Sequence, residues 1–414
     1  MRGWVYNFTF SYNPNEKAGD GIMTLNMKHI FPHVFIIFVV LTLIIGINHT
    51  HERNQKRFLE NTNESLANFH GNISLTWTAK GENFFYCNSS LLVLEDSMVK
   101  FLSMGNGTVE KQLTVSGYYF LDNFMFLRIN EEYYKVKCPS GELIRLSAPV
   151  FEFNGWKMEL QNSTVILLNN LRFSFSETPH ILKTDKEFLI FGHTSKNTSK
   201  LISLTDRIRV FQINGTISGI AVVNDTVIVS VGDYKRVVRD NKQWKIKEVH
   251  YYPTGGYIMA LKNDSVVWRL PDNRNFYHVG KSGFHGIAVS NGIIYGLTNF
   301  DIVEISYNGS ILGRIPIWNM SSCLFIESVK GNGNEHFFTF AYKGTNPCIG
   351  QENPSTIYGI CVLNYKTKRI NCISLIDEQK ALNVQTLKIG VYRNYIVVAY
   401  KLEEQNLISI LRVK

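Results

Sequence analysis

The sequence has little proline, few cysteines and none of the common enzyme motifs. Its 414 residues include 10 Pro and 6 Cys. It contains no C-x-x-C pair, no phosphate-binding P-loop, no H-E-x-x-H motif and no G-x-S-x-G nucleophile elbow. Its histidines and cysteines are not spaced as zinc ligands are. We therefore expect no metal site and no cofactor, and the sequence identifies no catalytic residue.

Charge is also sparse and evenly spread. Charged residues make up 19% of the chain and the net charge is +9, but no basic run exceeds a few residues. Nucleic acid is therefore not expected as a partner, since a solvated basic surface accounts for the excess charge. The 27 Phe and 20 Tyr indicate a globular chain with a large core rather than a mucin-like stalk.

One long apolar run, IFPHVFIIFVVLTLIIGI, occupies residues 30–47, and only His33 and Thr42 within it are polar. As a helix it would be about 27 Å long, enough to cross the hydrocarbon core of a bilayer. We predict a cytoplasmic tail at 1–29 and an uncleaved transmembrane signal anchor at 30–48. An internal start at Met27, which would turn the run into an ordinary signal peptide, is the alternative.

Glycosylation sequons indicate the orientation of the chain. N-x-S/T sites recur after the apolar run, and an acceptor asparagine must be lumenal or extracellular to be used. The long C-terminal part is therefore predicted to be extracellular, which makes the chain a single-pass type II membrane protein. The predicted acceptors are Asn48, Asn63, Asn72, Asn88, Asn106, Asn162, Asn197, Asn214, Asn224, Asn263, Asn308 and Asn319.

The six cysteines all follow the apolar run, as expected for three disulfides in an oxidising compartment. Cys361 and Cys372 flank VLNYKTKRIN, a segment typical of strand, turn and strand, so we predict a disulfide between them. The pairing of the other four stays open. These are Cys87, Cys138, Cys323 and Cys348.

Short apolar runs separated by Asn, Gly and Asp fill the extracellular part. This pattern predicts an all-β fold of strands joined by turns. Residues 284–315 have the pattern of four strands, and GIAVVN at 219–224 is echoed by GIAVSN at 286–291. Four-stranded repeats are typical of propeller blades. We predict a six-bladed β-propeller head at 76–414 behind a short stalk or tether at 49–75, with tandem β-sandwiches as the alternative.

The segment CVLNYKTKRINCISLI at 361–376 resembles the closing hairpin of paramyxovirus attachment glycoproteins. The overall plan is similar to that family as well, with a type II anchor, a stalk and a glycosylated propeller. The resemblance implies a receptor-binding homo-oligomer of the virion envelope and host-cell surface, with a separate fusion protein as its partner. The N-R-K-S-C-S hexapeptide of the sialidase-active members is absent, so the resemblance does not imply sialidase activity.

Three functions are compatible with these patterns. The first is a viral envelope glycoprotein that attaches virions to a host-cell receptor, a sialoglycan or a protein, through its propeller. The second is a cellular type II glycoprotein for adhesion or ligand binding. The third is a sialidase-like glycoside hydrolase, for which the candidate arginines are Arg145, Arg236, Arg269 and Arg393. The sequence identifies no receptor-binding residue.

Overall fold

Strands make up nearly all of the structure. The computed structural model describes residues 73–87, 90–121, 124–137, 140–146, 150–153, 155–162, 164–184, 187–195, 197–223, 225–242, 246–263, 265–276, 280–317, 325–346, 355–376 and 381–414. The predicted tail at 1–29 and anchor at 30–48 lie outside these residues. Among the described residues, no helix has the length and apolar character needed to cross a membrane.

The strands follow the alternation of apolar and polar side chains, with Asn, Asp and Gly in the turns between them. Up to residue 214 they are β1 (Ile73–Lys80), β2 (Asn83–Cys87), β3 (Ser90–Glu95), β4 (Met98–Ser103), β5 (Val109–Thr114), β6 (Gly117–Leu121), β7 (Phe124–Ile129), β8 (Glu132–Lys137), β9 (Glu142–Leu146), β10 (Val150–Phe153), β11 (Trp156–Asn162), β12 (Val165–Leu168), β13 (Leu171–Ser174), β14 (His180–Lys183), β15 (Phe188–Ser195), β16 (Thr198–Leu204) and β17 (Ile208–Asn214).

The strands of the second half include the two longest in the described chain. They are β18 (Thr216–Val223), β19 (Thr226–Asn241), β20 (Ile246–Lys262), β21 (Ser265–Asp272), β22 (Asn275–Phe276), β23 (Gly280–Lys281), β24 (Gly286–Ser290), β25 (Ile293–Leu297), β26 (Asp301–Ile305), β27 (Ile311–Pro316), β28 (Phe325–Gly333), β29 (Phe337–Asn346), β30 (Ser355–Asn364), β31 (Ile370–Ile376), β32 (Val384–Tyr392), β33 (Tyr395–Leu402) and β34 (Gln405–Val413).

Within the described residues these strands form six hydrogen-bonded sheets in a propeller arrangement. Three sheets have four strands, namely β2–β5, β10–β13, and β32–β34 with β1. Two have eight strands, because a parallel pair, β6 with β14 or β24 with β28, joins two four-stranded meanders. The sixth contains β18–β23. The predicted all-β, six-bladed propeller agrees with this arrangement, although the two doubled sheets were not expected from the sequence.

The first and last described strands close the ring. Strand β1 pairs antiparallel with β34, from Ile73 opposite Val413 to Lys80 opposite Leu407. Residues 73–75, which the sequence assigned to the tether, therefore belong to the propeller. Buried Leu91 of β3 and Val397 of β33 lie in one apolar cluster, so the closing sheet also packs on the sheet that follows it. This pairing covers the edge of β34 and makes β1 the outermost strand of the closing sheet.

The propeller has two faces, because each meander reverses direction at every turn. We call the face where Ile73 and Lys414 lie the terminal face. It also holds the turns between the first and second strands of each meander, such as 291–292 and 393–394. The end of β19 at Asn241 and the start of β20 at Ile246 lie on the opposite side, which we call the hairpin face.

Several local predictions are confirmed. The four strands expected within 284–315 are β24 to β27. In the two echoed segments, residues 219–223 and 286–290 occupy the same place in their meanders, at the end of the first strand. Cys361 and Cys372 face each other on β30 and β31 and form a disulfide, with 4.0 Å between their Cα atoms.

Candidate functional site

The hairpin of β19 and β20 extends far beyond the sheet to which it belongs. These two strands pair from Val227 opposite Leu261 to Asn241 opposite Ile246. The neighbouring strand β18 pairs with β19 only as far as Gly232. Residues 234–241 and 246–253 therefore form a two-stranded ribbon on the hairpin face. An isolated ribbon of this kind is only marginally stable, so its position depends on contacts with the rest of the propeller.

Tyr234 provides the first of these contacts. Its hydroxyl donates to the carbonyl oxygen of Val329 and accepts from the amide of the same residue, both at 3.0 Å. Its ring stacks on His285, with 4.4 Å between the centroids. Burial raises the pKa of Tyr234, so the hydroxyl keeps its proton for the first of these bonds.

A row of charged side chains provides the second contact. The two ring nitrogens of His250 lie 3.0 Å from carboxylate oxygens of Glu248 and Glu327. Behind Glu327 lies Lys343, at 3.5 Å, and both of these side chains are 2% exposed. The Lys343 ammonium also donates to the carbonyl oxygen of Val249 at 2.6 Å, which ties the hairpin backbone to β29.

Protonation of His250 strengthens this row. A neutral imidazole has one N–H and can donate to one carboxylate, whereas an imidazolium donates to both. The hydrogen bond to Glu327 raises the pKa of His250 by more than burial lowers it. Burial lowers the pKa of Lys343, and the Glu327 carboxylate opposes that change. The hairpin is thus held on the propeller by charges that depend on one another.

A bulge bends the hairpin where it leaves the sheet. Asp233 pairs with Gly255 while the next residue, Tyr234, pairs with Pro253, so Thr254 is the extra residue. Gly255 has a φ of 118°, which a residue with a side chain rarely adopts. At Gly256 a Cβ atom would lie 2.1 Å from the carbonyl oxygen of Val231, so only glycine fits.

The bend opens a polar cleft of about 310 Å³ beside the hairpin. Its lining comes from the ends of β17 and β21, the middle of β19 and β20, and the turn between β15 and β16. Carboxamide, hydroxyl, carboxylate and guanidinium groups dominate the lining, together with one tyrosine ring. The lining residues are Asn197, Asn214, Gly215, Asp233, Thr254, Gly255, Gly256, Tyr257, Arg269, Pro271 and Asn273.

Arg269 and Tyr257 contact each other in the cleft and supply its positive charge and its aromatic ring. The guanidinium carbon of Arg269 lies 3.5 Å from the centroid of the Tyr257 ring, in a stacked cation–π contact. Stacking fixes the plane of the guanidinium and leaves its N–H edge available for an anion. Burial raises the pKa of Asp233, whose carboxylate accepts from the Tyr234 amide at 2.8 Å. A cationic edge beside many neutral hydrogen-bonding groups suits an acidic, hydroxyl-rich ligand.

The structure separates the four candidate arginines. Of these, Arg269 lines the cleft, and Arg236 lies on the hairpin ribbon. Arg145, on β9, forms an ion pair with Glu132. Arg393 lies in a turn of the terminal face. No described contact joins any two of them, so the described residues do not contain the arginine cluster considered for a hydrolase.

The twelve predicted glycosylation sites divide into four groups. The cleft is lined by two exposed sites, Asn197 and Asn214. Three more are exposed in turns of the terminal face, namely Asn106, Asn263 and Asn308. Asn162 ends strand β11. The remaining sites lie outside the described residues and are Asn48, Asn63, Asn72, Asn88, Asn224 and Asn319.

The remaining cysteines are only partly described. Cys87 is also disulfide-bonded. Cys138, Cys323 and Cys348 lie outside the described residues, so the pairing left open by the sequence stays open. No group of three or more His, Cys, Asp or Glu side chains in the described part of the chain is arranged to hold a metal ion.

No family model and no curated protein matches this chain. Among solved structures, it is similar to the WD40 domain of Neurospora crassa Pan2, with 8% identity and a TM-score of 0.40 over 82% of this chain and 95% of that one. It is similar to Drosophila Plexin A in complex with Semaphorin 1b, with 10% identity and a TM-score of 0.36 over 81% of this chain and 87% of that one. These similarities carry no argument about ligand or activity.

Proposed function

We propose that this chain is a receptor-binding glycoprotein whose propeller binds an acidic glycan in the cleft beside the β19–β20 hairpin. The stacked pair of Arg269 and Tyr257 inside a polar cleft is the observation that carries the proposal. A sialylated glycan on a cell surface is the ligand class that this chemistry favours.

The chemistry of the cleft matches such a ligand in two ways. A guanidinium held in one plane can donate two parallel hydrogen bonds to a carboxylate, which is the strongest contact available to an acidic sugar. The hydroxyls of a sugar need both donors and acceptors, and the amides of Asn273 and the hydroxyl of Thr254 supply them.

The biological role we propose is attachment to a host cell by a type II envelope glycoprotein, as expected from the resemblance of its C-terminal hairpin to that of paramyxovirus attachment proteins. A membrane anchor at 30–48, a homo-oligomeric state and a separate fusion protein are parts of that proposal. A cellular adhesion glycoprotein with the same cleft is the alternative. Viral attachment and cellular adhesion both require that the cleft bind the glycan, so glycan binding by the cleft can be tested first.

The test uses cells that display the full-length chain. A polyvalent sialyllactose probe should bind these cells, and the lactose probe without sialic acid should not. Arg269→Gln should reduce binding at least tenfold, because it removes the charge that pairs with the carboxylate. Arg172→Gln is the matched control, since Arg172 is exposed on β13 and does not line the cleft.

Other results of this experiment would contradict the proposed site or support a different function. Equal binding by the Arg269→Gln variant and the unmodified chain would contradict the proposed site. Binding to cells that survives sialidase treatment would favour a protein receptor. Release of the fluorophore from a fluorogenic sialoside would favour the hydrolase.

A further inference from the structure

The innermost strands bring cationic side chains from three meanders toward the axis of the propeller. Lys330 lies on β28, Lys388 on β32 and His180 on β14, each of which is the first strand of its meander. All three side chains are half-buried, although they lie deep within the propeller. In a propeller the innermost strands surround a central channel, and these three side chains lie on such strands.

Both ammonium groups are held in place by the next strand around the ring. The Lys388 ammonium donates to the side-chain oxygen of Asn83 at 2.9 Å and to the carbonyl oxygen of Phe84 at 3.0 Å. It also lies 4.6 Å from the centroid of the Phe84 ring. The Lys330 ammonium donates to the carbonyl oxygen of Leu387, the residue next to Lys388. The two cations are therefore positioned before any ligand arrives.

The charge of each lysine acts on the pKa of another group of this set. Burial, together with the charge of Lys330, lowers the pKa of Lys388 to about 7. Burial lowers the pKa of His180 to about 3, with Lys388 and Lys330 acting in the same direction. The Glu177 carboxylate opposes these effects at both lysines, but its side chain is 55% exposed and lies 3.4 Å from His193.

We propose that the central channel binds a small oxyanion, such as sulfate or phosphate, between Lys330 and Lys388. Charge-assisted hydrogen bonds from two preorganised ammonium groups are suited to the separate oxygens of such an ion. The site is distinct from the cleft at Arg269 and does not depend on it.

The first experiment measures thermal unfolding of the purified full-length chain. About 5 mM sulfate should raise the Tm by about 2–5 °C above chloride at equal ionic strength, because the anion binds only the folded state. The low concentration limits the general stabilisation that sulfate gives all proteins. An equal Tm in the two salts would overturn the proposal.

Two variants and one control show which residues cause the rise in Tm in sulfate. Lys330→Met and Lys388→Met should each remove the difference between sulfate and chloride. Lys262→Met, which changes an exposed lysine of β20 at the terminal face, should keep it. If the Lys388→Met variant shows the same rise as the unmodified chain, the site is not in the channel.

A calorimetric titration of the unmodified chain avoids any failure of the variants to fold. At pH of about 7.5 the bound anion should favour the charged form of Lys388, so binding should be accompanied by proton uptake of up to one proton. The uptake is read from the dependence of the binding enthalpy on the ionisation enthalpy of the buffer. Sulfate binding without proton uptake, or no binding, would contradict a site that includes Lys388.

Discussion

The closing sheet and the β19–β20 hairpin both join distant parts of the chain, but by different physical means. The closing sheet relies on the backbone ladder between β1 and β34 and on Ile408, Ile410 and Leu411, which are 0% exposed. The hairpin relies on side chains, above all His250 and the buried pair behind it.

This difference determines how the stability of each region responds to mutation and to pH. A backbone ladder and an apolar core are stabilised by many small contributions, and neither of them needs a charged side chain. A buried charge network is stable only while every partner is present, since a charge left alone in the interior is costly. We expect the closing sheet to determine whether the chain folds and the hairpin to respond to conditions.

The largest effect should follow from deletion of residues 405–414, which removes β34. The ring then loses the partner of β1, and the core of the closing sheet is exposed. We expect no cooperative unfolding transition in tryptophan fluorescence and little protein at the cell surface. Deletion of Lys414 alone, an exposed residue past the end of β34, is the control and should leave the Tm unchanged. A cooperative transition in the longer deletion would show that the ring does not need its closure.

Glu327→Gln should cost about 3–5 kcal/mol, because it leaves the Lys343 ammonium buried without its carboxylate. Chemical denaturation of the full-length chain measures this loss. Glu335→Gln is the matched control, since the Glu335 side chain is 79% exposed. A loss below about 1 kcal/mol at Glu327 would mean that the hairpin is not held by this network.

Removal of the Cys361–Cys372 disulfide should have an intermediate effect. The bridge closes a short loop, with a sequence separation of 11, so the double change to Ser should cost about 2–3 kcal/mol. Denaturation with and without reductant gives the measurement. The reductant should destabilise the double variant less than the unmodified chain. Equal sensitivity in both would assign the effect of reduction to other disulfides.

The pH dependence of the hairpin should be smaller. Because the folded pKa of His250 is raised, its contribution is complete below the unfolded pKa of about 6.5 and is lost as the pH rises through the folded value. His250→Gln should therefore destabilise the chain by about 1 kcal/mol at low pH and by less at high pH. Denaturation of both proteins from pH 5.5 to about 8.5 tests this. A difference that grows with pH would contradict a protonated His250.

The smallest effect on stability should come from Asn214→Gln in the cleft. This exposed side chain should change the free energy of unfolding by less than about 0.5 kcal/mol. If a glycan on Asn214 restricts the cleft, its removal should raise binding of the sialyllactose probe several-fold. Asn263→Gln, on the terminal face, is the matched control and should leave binding unchanged. A fall in binding would instead make the Asn214 carboxamide part of the site.

Features that depend on neighbouring residues were predictable from the sequence. The strands of 284–315 follow from local alternation, and the Asn308-Gly309 turn has the positive φ that glycine permits, 86° at Gly309. The disulfide between Cys361 and Cys372 follows from a short turn between two cysteines. Each of these depends on contacts within about ten residues of sequence.

Features that depend on distant contacts were not predictable. The segment YKRVVRDN at 234–241 has the charge of a solvated loop, yet it continues strand β19. It does so because Tyr234 meets Val329 and His250 meets Glu327, across separations of 95 and 77 residues. The cleft likewise requires a bulge at Thr254 and side chains from several strands. A better local signal was the glycine pair Gly255-Gly256, which marks the bend.

Ring closure by β1 also determines how the molecule would respond to mechanical tension. Any pull transmitted through the residues before Ile73 acts first on the pair of Ile73 with Val413, at one end of the ladder with β34. The other strands of the propeller are loaded only after this ladder yields. If a ligand were held at the hairpin face while the proposed anchor pulled on the chain, β1 would be the strand to detach first. The force at which β1 separates would then limit the load that the attached molecule can bear.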